Sequence, residues 1–219
     1  MSNFVSGHYL TYAVIFDLDG TLFDSENLAL EGTNVVLRNH GLDKVVDQAE
    51  YYEGCRYPTK QRLAWHATGD ADDEIGARLQ IEFDEFYIAL VTNENPRIYD
   101  GILKLLARIK ECEHAALGIL SNASESYVKR VVAAHGLDNM FKATLGIGID
   151  LTVGKPQPDG LYLISSMLNI PPARCVYIGD SPTDGQAARA ARMLSIGVTW
   201  GNSSSSTLRG IKSGWRCMW

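Results

Sequence analysis

Five short apolar runs punctuate the chain, at residues 12–16, 116–120, 143–147, 175–178 and 195–198. The first, Tyr12-Ala13-Val14-Ile15-Phe16, is too short for an ordinary helix and rich in β-branched and aromatic residues. That is the pattern of a strand buried on both faces of a parallel sheet. Three of the runs end in polar clusters: Asp17-Leu18-Asp19-Gly20-Thr21, Ser121-Asn122 and Gly179-Asp180.

Between the runs the apolar spacing turns helical. Ile102, Leu103, Leu105, Leu106 and Ile109 share one face, and Val128, Val131 and Val132 another, with Ser124 as a candidate N-cap and Gly136 as a stop. Pro158 suits the first turn of a helix running to Leu168, with Asp159 beside its positive end. A helix is expected over 186–193, with Asp184 just ahead of it. Strands alternating with helices predict a doubly wound, Rossmann-like parallel α/β core. Such cores bind ligands at the carboxyl ends of their strands, so the three polar clusters point to one rim.

Residues 26–95 break this alternation. They hold no convincing buried strand, but helical candidates at 28–39 and 72–91, the second with Leu79, Phe83, Phe86, Tyr87 and Leu90. Nearly 70 residues are too many for a βα loop. The segment reads either as a helical cap over the rim or as extra helices packed on the sheet. The expected division is 1–25 and 96–219 as core and 26–95 as cap. Residues 202–219 are Ser-rich at first and then end on Trp215-Arg216-Cys217-Met218-Trp219, and no element is assigned to them.

Composition narrows the functional classes. The chain has 219 residues, 46% hydrophobic and 21% charged, an ordinary globular balance. The 20 Lys+Arg against 26 Asp+Glu give a net charge of −6, which offers no basic face to a nucleic acid. No apolar run approaches the ~18 residues that would span a bilayer. The first 12 residues lack the basic start and apolar core of a signal peptide. The four cysteines form no Cys-x-x-Cys pair, so no zinc or redox site is expected. These features predict a soluble cytoplasmic protein with free thiols, monomer or dimer, without nucleic-acid or membrane partners.

The polar clusters carry the candidate chemistry. Asp17 and Asp19 alternate at a strand end, with Gly20 permitting a sharp turn. Such a pair serves as nucleophile with acid/base, as a magnesium site, or simply as a solvated turn with helix-capping acids. Asp180 and Asp184 follow another strand, and Asp184 alternatively caps the next helix. Two carboxylate loops on one rim make a hard-oxygen site that suits Mg2+ with waters and a phosphate. Ser121-Asn122 offers hydroxyl, amide and backbone N–H groups to an oxyanion, or forms a capping turn. Lys155, in Val153-Gly154-Lys155-Pro156, is either a surface charge or a partner for phosphate and the clustered acids.

Taken in order, Asp17-Leu18-Asp19-Gly20-Thr21-Leu22, Leu120-Ser121-Asn122, Gly154-Lys155-Pro156 and Gly179-Asp180-Ser181-x-x-Asp184 resemble the four motifs of the haloacid dehalogenase-like (HAD) hydrolases. The resemblance covers about residues 12 to 201. Ile98-Tyr99-Asp100-Gly101 resembles the family's return from cap to core. The insertion resembles the small helical cap of the phosphoglycolate phosphatase and β-phosphoglucomutase branch, which favours the cap reading.

The resemblance implies a magnesium-dependent phosphatase acting on a small phosphorylated metabolite through an aspartyl-phosphate. Asp17 would be the nucleophile and Asp19 the acid/base. The Asp17 carboxylate, the Asp19 carbonyl and the Asp180 carboxylate would hold the metal, with Asp184 acting through water or Lys155. Thr21, Ser121, Asn122 and Lys155 would bind phosphate. In the cap loop, Gly54, Arg56 and Lys60 are the candidates for substrate choice, with Arg56 equally readable as a surface arginine. A dehalogenase is disfavoured because that branch lacks an acid at the position of Asp19. A β-phosphoglucomutase-like mutase is the alternative, weakened because Gly179 stands where that branch usually has Glu. A catalytically idle interaction module is the reading from another class, and the full complement of acids with Lys155 speaks against it.

Overall fold

The computed structural model describes residues 11–201 and the backbone of 215–217. Six strands form one sheet in the order β5 (Ala143–Ile147), β4 (Ala115–Ser124), β1 (Tyr12–Phe16), β6 (Cys175–Gly179), β7 (Leu194–Gly197) and β8 (Trp215–Cys217). Every neighbouring pair is parallel. The chain leaves central β1 for β4 and β5 on one side, then returns to β6 and β7 on the other. The strand order therefore reverses at β1, which opens a crevice at its carboxyl end. There Phe16 lies opposite both Ile119 and Ile178, so the segments that follow these three strands meet.

Both faces of the sheet are covered, as a parallel sheet requires. Along β1, Ala13 and Ile15 point into a core completed by Leu161 and Ile164 of α7 (Asp159–Leu168) and Ala187 and Ala188 of α8 (Pro182–Ala190). Val14 and Phe16 point the other way. That face is closed by Ile102 and Leu106 of α5 (Ile102–Lys110) and by Tyr127, Val128 and Val131 of α6 (Glu125–Ala134). The period-two alternation of a strand thus sorts its residues into two cores.

Four helices separate the first strand from the next core helix: α1 (Glu26–Asn39), α2 (Gln48–Gly54), α3 (Thr59–Thr68) and α4 (Ile75–Ala89). A two-stranded antiparallel ribbon, β2 (Phe23–Asp24) with β3 (Arg97–Ile98), joins the exit and return of this segment. On α4, Leu79, Phe83 and Tyr87 recur every four residues and are buried with Leu37 of α1 and Leu63 of α3. These residues join the same core as Phe16 and Leu18, so the helical segment sits on the rim side of one sheet face. Gly54 closes α2 against α3, where a Cβ would stand 2.5 Å from His66 Nε2.

Several elements differ from the sequence expectation. β4 runs on through Ser121 and Asn122 to Ser124 rather than ending at residue 120. The last core helix starts at Pro182, so Asp184 lies inside its first turn and Ser181 is the N-cap. Ser181 and Asp184 form a capping box, which accounts for the earlier start. The helix α4 is shorter at both ends than the apolar pattern over 72–91 suggests. The tail contributes a strand, β8, pairing Trp215 with Ser195 in parallel register. The rest of the tail, 202–214 and 218–219, lies outside the described residues. Among the described residues no helix is long and apolar enough to cross a membrane.

Candidate active site

Asp17 is the first residue beyond β1, and its N–H donates to the Ile178 carbonyl at 2.8 Å. That bond carries the sheet register one residue past the strand and fixes the side chain at the rim. The chain then turns on Leu18, whose carbonyl accepts from Leu22 at 2.9 Å and Phe23 at 3.1 Å. Gly20 holds φ +76, and a Cβ there would stand 2.4 Å from Asp180 Oδ2. Both the left-handed backbone and the close approach of the second acidic loop demand glycine.

Lys155 reaches this rim from the loop between β5 and α7. Asn122 clamps its backbone twice: the Lys155 N–H donates to Asn122 Oδ1 at 2.7 Å, and Asn122 Nδ2 donates to the Lys155 carbonyl at 3.0 Å. The Lys155 ammonium is 4% exposed and donates to Asp17 Oδ1 at 2.7 Å, Asp184 Oδ1 at 2.7 Å and the Tyr177 hydroxyl at 3.0 Å. All three of its protons are therefore used. Burial alone would lower its pKa, but the Asp17 and Asp184 carboxylates outweigh burial and hold it above the usual lysine range.

Asp184 is engaged at both oxygens. Its Oδ1 faces Lys155 and, at 3.2 Å, the Tyr177 hydroxyl, while Oδ2 accepts from the Ser181 N–H at 2.9 Å and the Ser181 hydroxyl at 2.6 Å. Asp17 is not. One oxygen takes the lysine, and the carboxylate lines a cavity of about 110 Å³ together with Asp19, Ser121, Asn122, Lys155 and Asp180. Burial pushes the Asp17 carboxyl well above its ordinary range, and the Asp184 and Asp180 charges add to that against the pull of Lys155.

These residues fit a hard divalent cation. Carboxylate oxygens of Asp17, Asp180 and Asp184 lie within 4.8 Å of one another, all three buried. Three carboxylates against one ammonium leave the cluster short of positive charge, and oxygen donors suit magnesium. Both Asp184 oxygens are already engaged by Lys155 and Ser181, so Asp17 and Asp180 are the carboxylates that would hold such an ion.

Asp19 lines the same cavity but is held from behind. Its Oδ1 accepts from the Ser25 hydroxyl at 2.6 Å and the Tyr127 hydroxyl at 2.9 Å. Burial raises its pKa, and these two bonds oppose the rise. Tyr127 of α6 stacks on Tyr87 of α4 at 4.2 Å between ring centroids, with the hydroxyls 3.1 Å apart. Ser121 is 2% exposed and its hydroxyl oxygen accepts from the Ala123 N–H at 3.0 Å.

The other sequence candidates are placed differently. Thr21 is fully buried, its hydroxyl has no hydrogen-bond partner among the described residues and it is not among those lining the cavity, while its carbonyl accepts from Trp200 Nε1 at 3.1 Å. Arg56 stacks on Tyr57 and Trp65, its guanidinium 5.0 and 5.2 Å from their centroids, and is not among the residues that line the carboxylate cavity. Lys60 lines a neighbouring cleft of about 410 Å³ beside Gln80 and Thr152. Gly54 is buried against His66. The helical segment reaches the carboxylate cavity instead with Tyr51, Cys55, Arg62 and Asp84.

Three further residues at the site went unread in the sequence. Tyr177 looks like strand filling, although a tyrosine directly beneath two acidic loops was a usable signal. Tyr127 looks like helix core. Arg62 sits in Lys60-Gln61-Arg62, which reads as solvent-facing helix, yet it is 5% exposed.

Comparison with known proteins adds a family. Residues 14–198 match the model of the family described as Haloacid dehalogenase-like hydrolase. A phosphoglycolate phosphatase from Xylella fastidiosa is 31% identical over 203 residues, covering 91% of this chain and 85% of that protein. Among solved structures, a haloacid dehalogenase-like hydrolase from Bacteroides fragilis superposes with a TM-score of 0.82 at 25% identity, over 94% of this chain and 96% of the other. A mutant of CbbY from Rhodobacter sphaeroides, in complex with xylulose-(1,5)bisphosphate, gives a TM-score of 0.78 at 25% identity, over 95% and 93%.

Proposed function

This chain belongs to the haloacid dehalogenase-like hydrolase family, and from that membership and the rim geometry we propose that it hydrolyses a small phosphate monoester through an aspartyl-phosphate on Asp17. The observation that carries the reading is the asymmetry of Asp17. Lys155 holds one oxygen at 2.7 Å, which fixes the carboxylate, and no described residue is hydrogen-bonded to the other oxygen.

Asp17 attacks phosphorus, and the bond from phosphorus to the ester oxygen breaks. Asp19 gives its proton to that leaving oxygen. It then takes a proton from the water that cleaves the aspartyl-phosphate, releasing inorganic phosphate and restoring both acids. Its raised pKa supports the first, protonated role. The Ser121 hydroxyl and the Asn122 backbone N–H orient the phosphoryl oxygens, and Lys155, whose three protons go to Asp17, Asp184 and Tyr177, lends them its positive charge. The Asp17 and Asp180 carboxylates and the Asp19 carbonyl would hold a magnesium ion, which would supply charge neutralisation for the phosphoryl group. Asp184 and Tyr177 act behind Lys155, setting its position.

Residues 26–95 form a cap on this reading, with 1–25 and 96–219 as the core. The names of the relatives support small phosphorylated metabolites as substrates, phosphoglycolate among them. Phosphate release from p-nitrophenyl phosphate tests the proposal. Activity is expected to vanish in EDTA, return with magnesium, and be absent from a folded Asp17→Asn variant. Robust turnover by Asp17→Asn refutes it.

A further inference from the structure

Arg62 is the buried cation of the helical segment that the mechanism above does not use. It lies on α3, 5% exposed, at the wall of the cavity that Asp17 and Lys155 line from the other side. Its Nη1 donates to the Thr33 hydroxyl at 2.7 Å, and that hydroxyl passes its own proton to the Ala29 carbonyl at 2.8 Å. The guanidinium lies over the rings of Tyr51 and Phe83, 4.9 and 5.1 Å from their centroids.

A guanidinium carries five N–H donors in a planar fork. Thr33 takes one, the aromatic faces take none, and no described carboxylate forms an ion pair with it. A buried charge left with spare donors is costly unless a ligand or water meets them. The Thr33 bond and the two ring contacts hold the guanidinium in place before anything binds. Asp84 and Asp19 also border the cavity, and both are felt by the Arg62 charge without pairing with it. Arg62 and Asp17 line one and the same cavity of about 110 Å³, so a single small ligand can meet both.

We propose that Arg62 is the specificity-determining residue of this site, its fork receiving a second anionic group, carboxylate or phosphate, a few bonds from the phosphate ester. The inference rests on the phosphatase reading and adds to it a requirement on the substrate. Arginine suits the task because its planar fork matches two oxygens at once, which lysine does not.

The test compares four small esters with the magnesium-loaded full chain: phosphoglycolate, ethylene glycol bisphosphate, ethyl phosphate and hydroxyethyl phosphate. For the wild type, kcat/KM is expected to be about 100-fold higher on at least one of the two doubly anionic esters than on the neutral pair. Preference for phosphoglycolate identifies the group as a carboxylate, and preference for the bisphosphate identifies a phosphate. In Arg62→Gln that preference should disappear mainly through KM, with the neutral esters changed less than about threefold. Arg62→Lys keeps the charge without the fork and should lose about tenfold of the preference. Where the glutamine variant does not fold, the lysine variant and the wild-type ranking decide. Equal wild-type rates on all four esters overturn the proposal, as does an equal loss on all four in Arg62→Gln. If the wild type cleaves none of them nor p-nitrophenyl phosphate, the phosphatase reading itself fails, a result distinct from either.

Discussion

Replacing Lys155 with methionine probes how the buried charges are held. The ammonium makes three hydrogen bonds, to Asp17 at 2.7 Å, Asp184 at 2.7 Å and Tyr177 at 3.0 Å. Methionine keeps much of the stem, so packing changes little, while Asp17 and Asp184 face each other without their cation. Removing one partner of a buried ion pair costs about 3–5 kcal/mol. In a domain of this size each kcal/mol moves the midpoint by about 2–4 °C, so Tm should fall by about 6–20 °C. Thermal unfolding followed by circular dichroism, in EDTA at neutral pH, reads this directly. Asp184→Asn supplies the internal control. The double variant should lose about 1–3 kcal/mol less than the sum of the singles, because the neutral amide no longer confronts Asp17. A Tm within about 2 °C of the wild type, or strict additivity, would refute the view that Lys155 neutralises this cluster.

Two other consequences are open to measurement. Gly20→Ala places a methyl 2.4 Å from Asp180 Oδ2 on a backbone with φ +76, so magnesium titration of activity should show affinity down by about tenfold or more. Unchanged magnesium affinity would show that Asp180 does not hold the ion. His66 is fully buried with neither ring nitrogen hydrogen-bonded to a described residue, and burial pushes its pKa from 6.5 down to about 3. The unfolded chain therefore takes up the proton first. The stability tied to neutral His66 is complete above pH 6.5 and falls by about 1.4 kcal/mol per pH unit below it. Urea unfolding between pH 7 and pH 4.5 should show a steeper decline in the wild type than in His66→Leu, and parallel curves would contradict this.

What was legible in the sequence follows from how local each signal is. β1 and β5 were readable to the residue because a strand buried on both faces shows as an unbroken apolar run. Asp17, Asp180 and Lys155 were readable because each follows such a run or a glycine. By contrast, α2 and α3 are short, 7 and 10 residues, and carry too few turns for a periodic stripe. The role of Asp184 was ambiguous between cap and cluster. It serves both, with one oxygen on the Ser181 cap and the other on Lys155. Arg62 was hidden for a different reason: its burial is decided by Tyr51 and Phe83, residues on two other helices. Arg56 has the more suggestive position in the loop, but its guanidinium lies over Tyr57 and Trp65 and only Arg62 of the two lines the carboxylate cavity. The edge strand at Trp215–Cys217 depends on pairing with β7, which no local pattern announces.

The most direct test of the central claim is rapid acid quenching of the magnesium-loaded enzyme during turnover, followed by peptide mass analysis. The expected result is one added phosphoryl mass on the peptide carrying Asp17, absent from Asp17→Asn. An unmodified Asp17 peptide throughout turnover, with the phosphoryl mass on another residue, would contradict the assignment of Asp17 as the nucleophile.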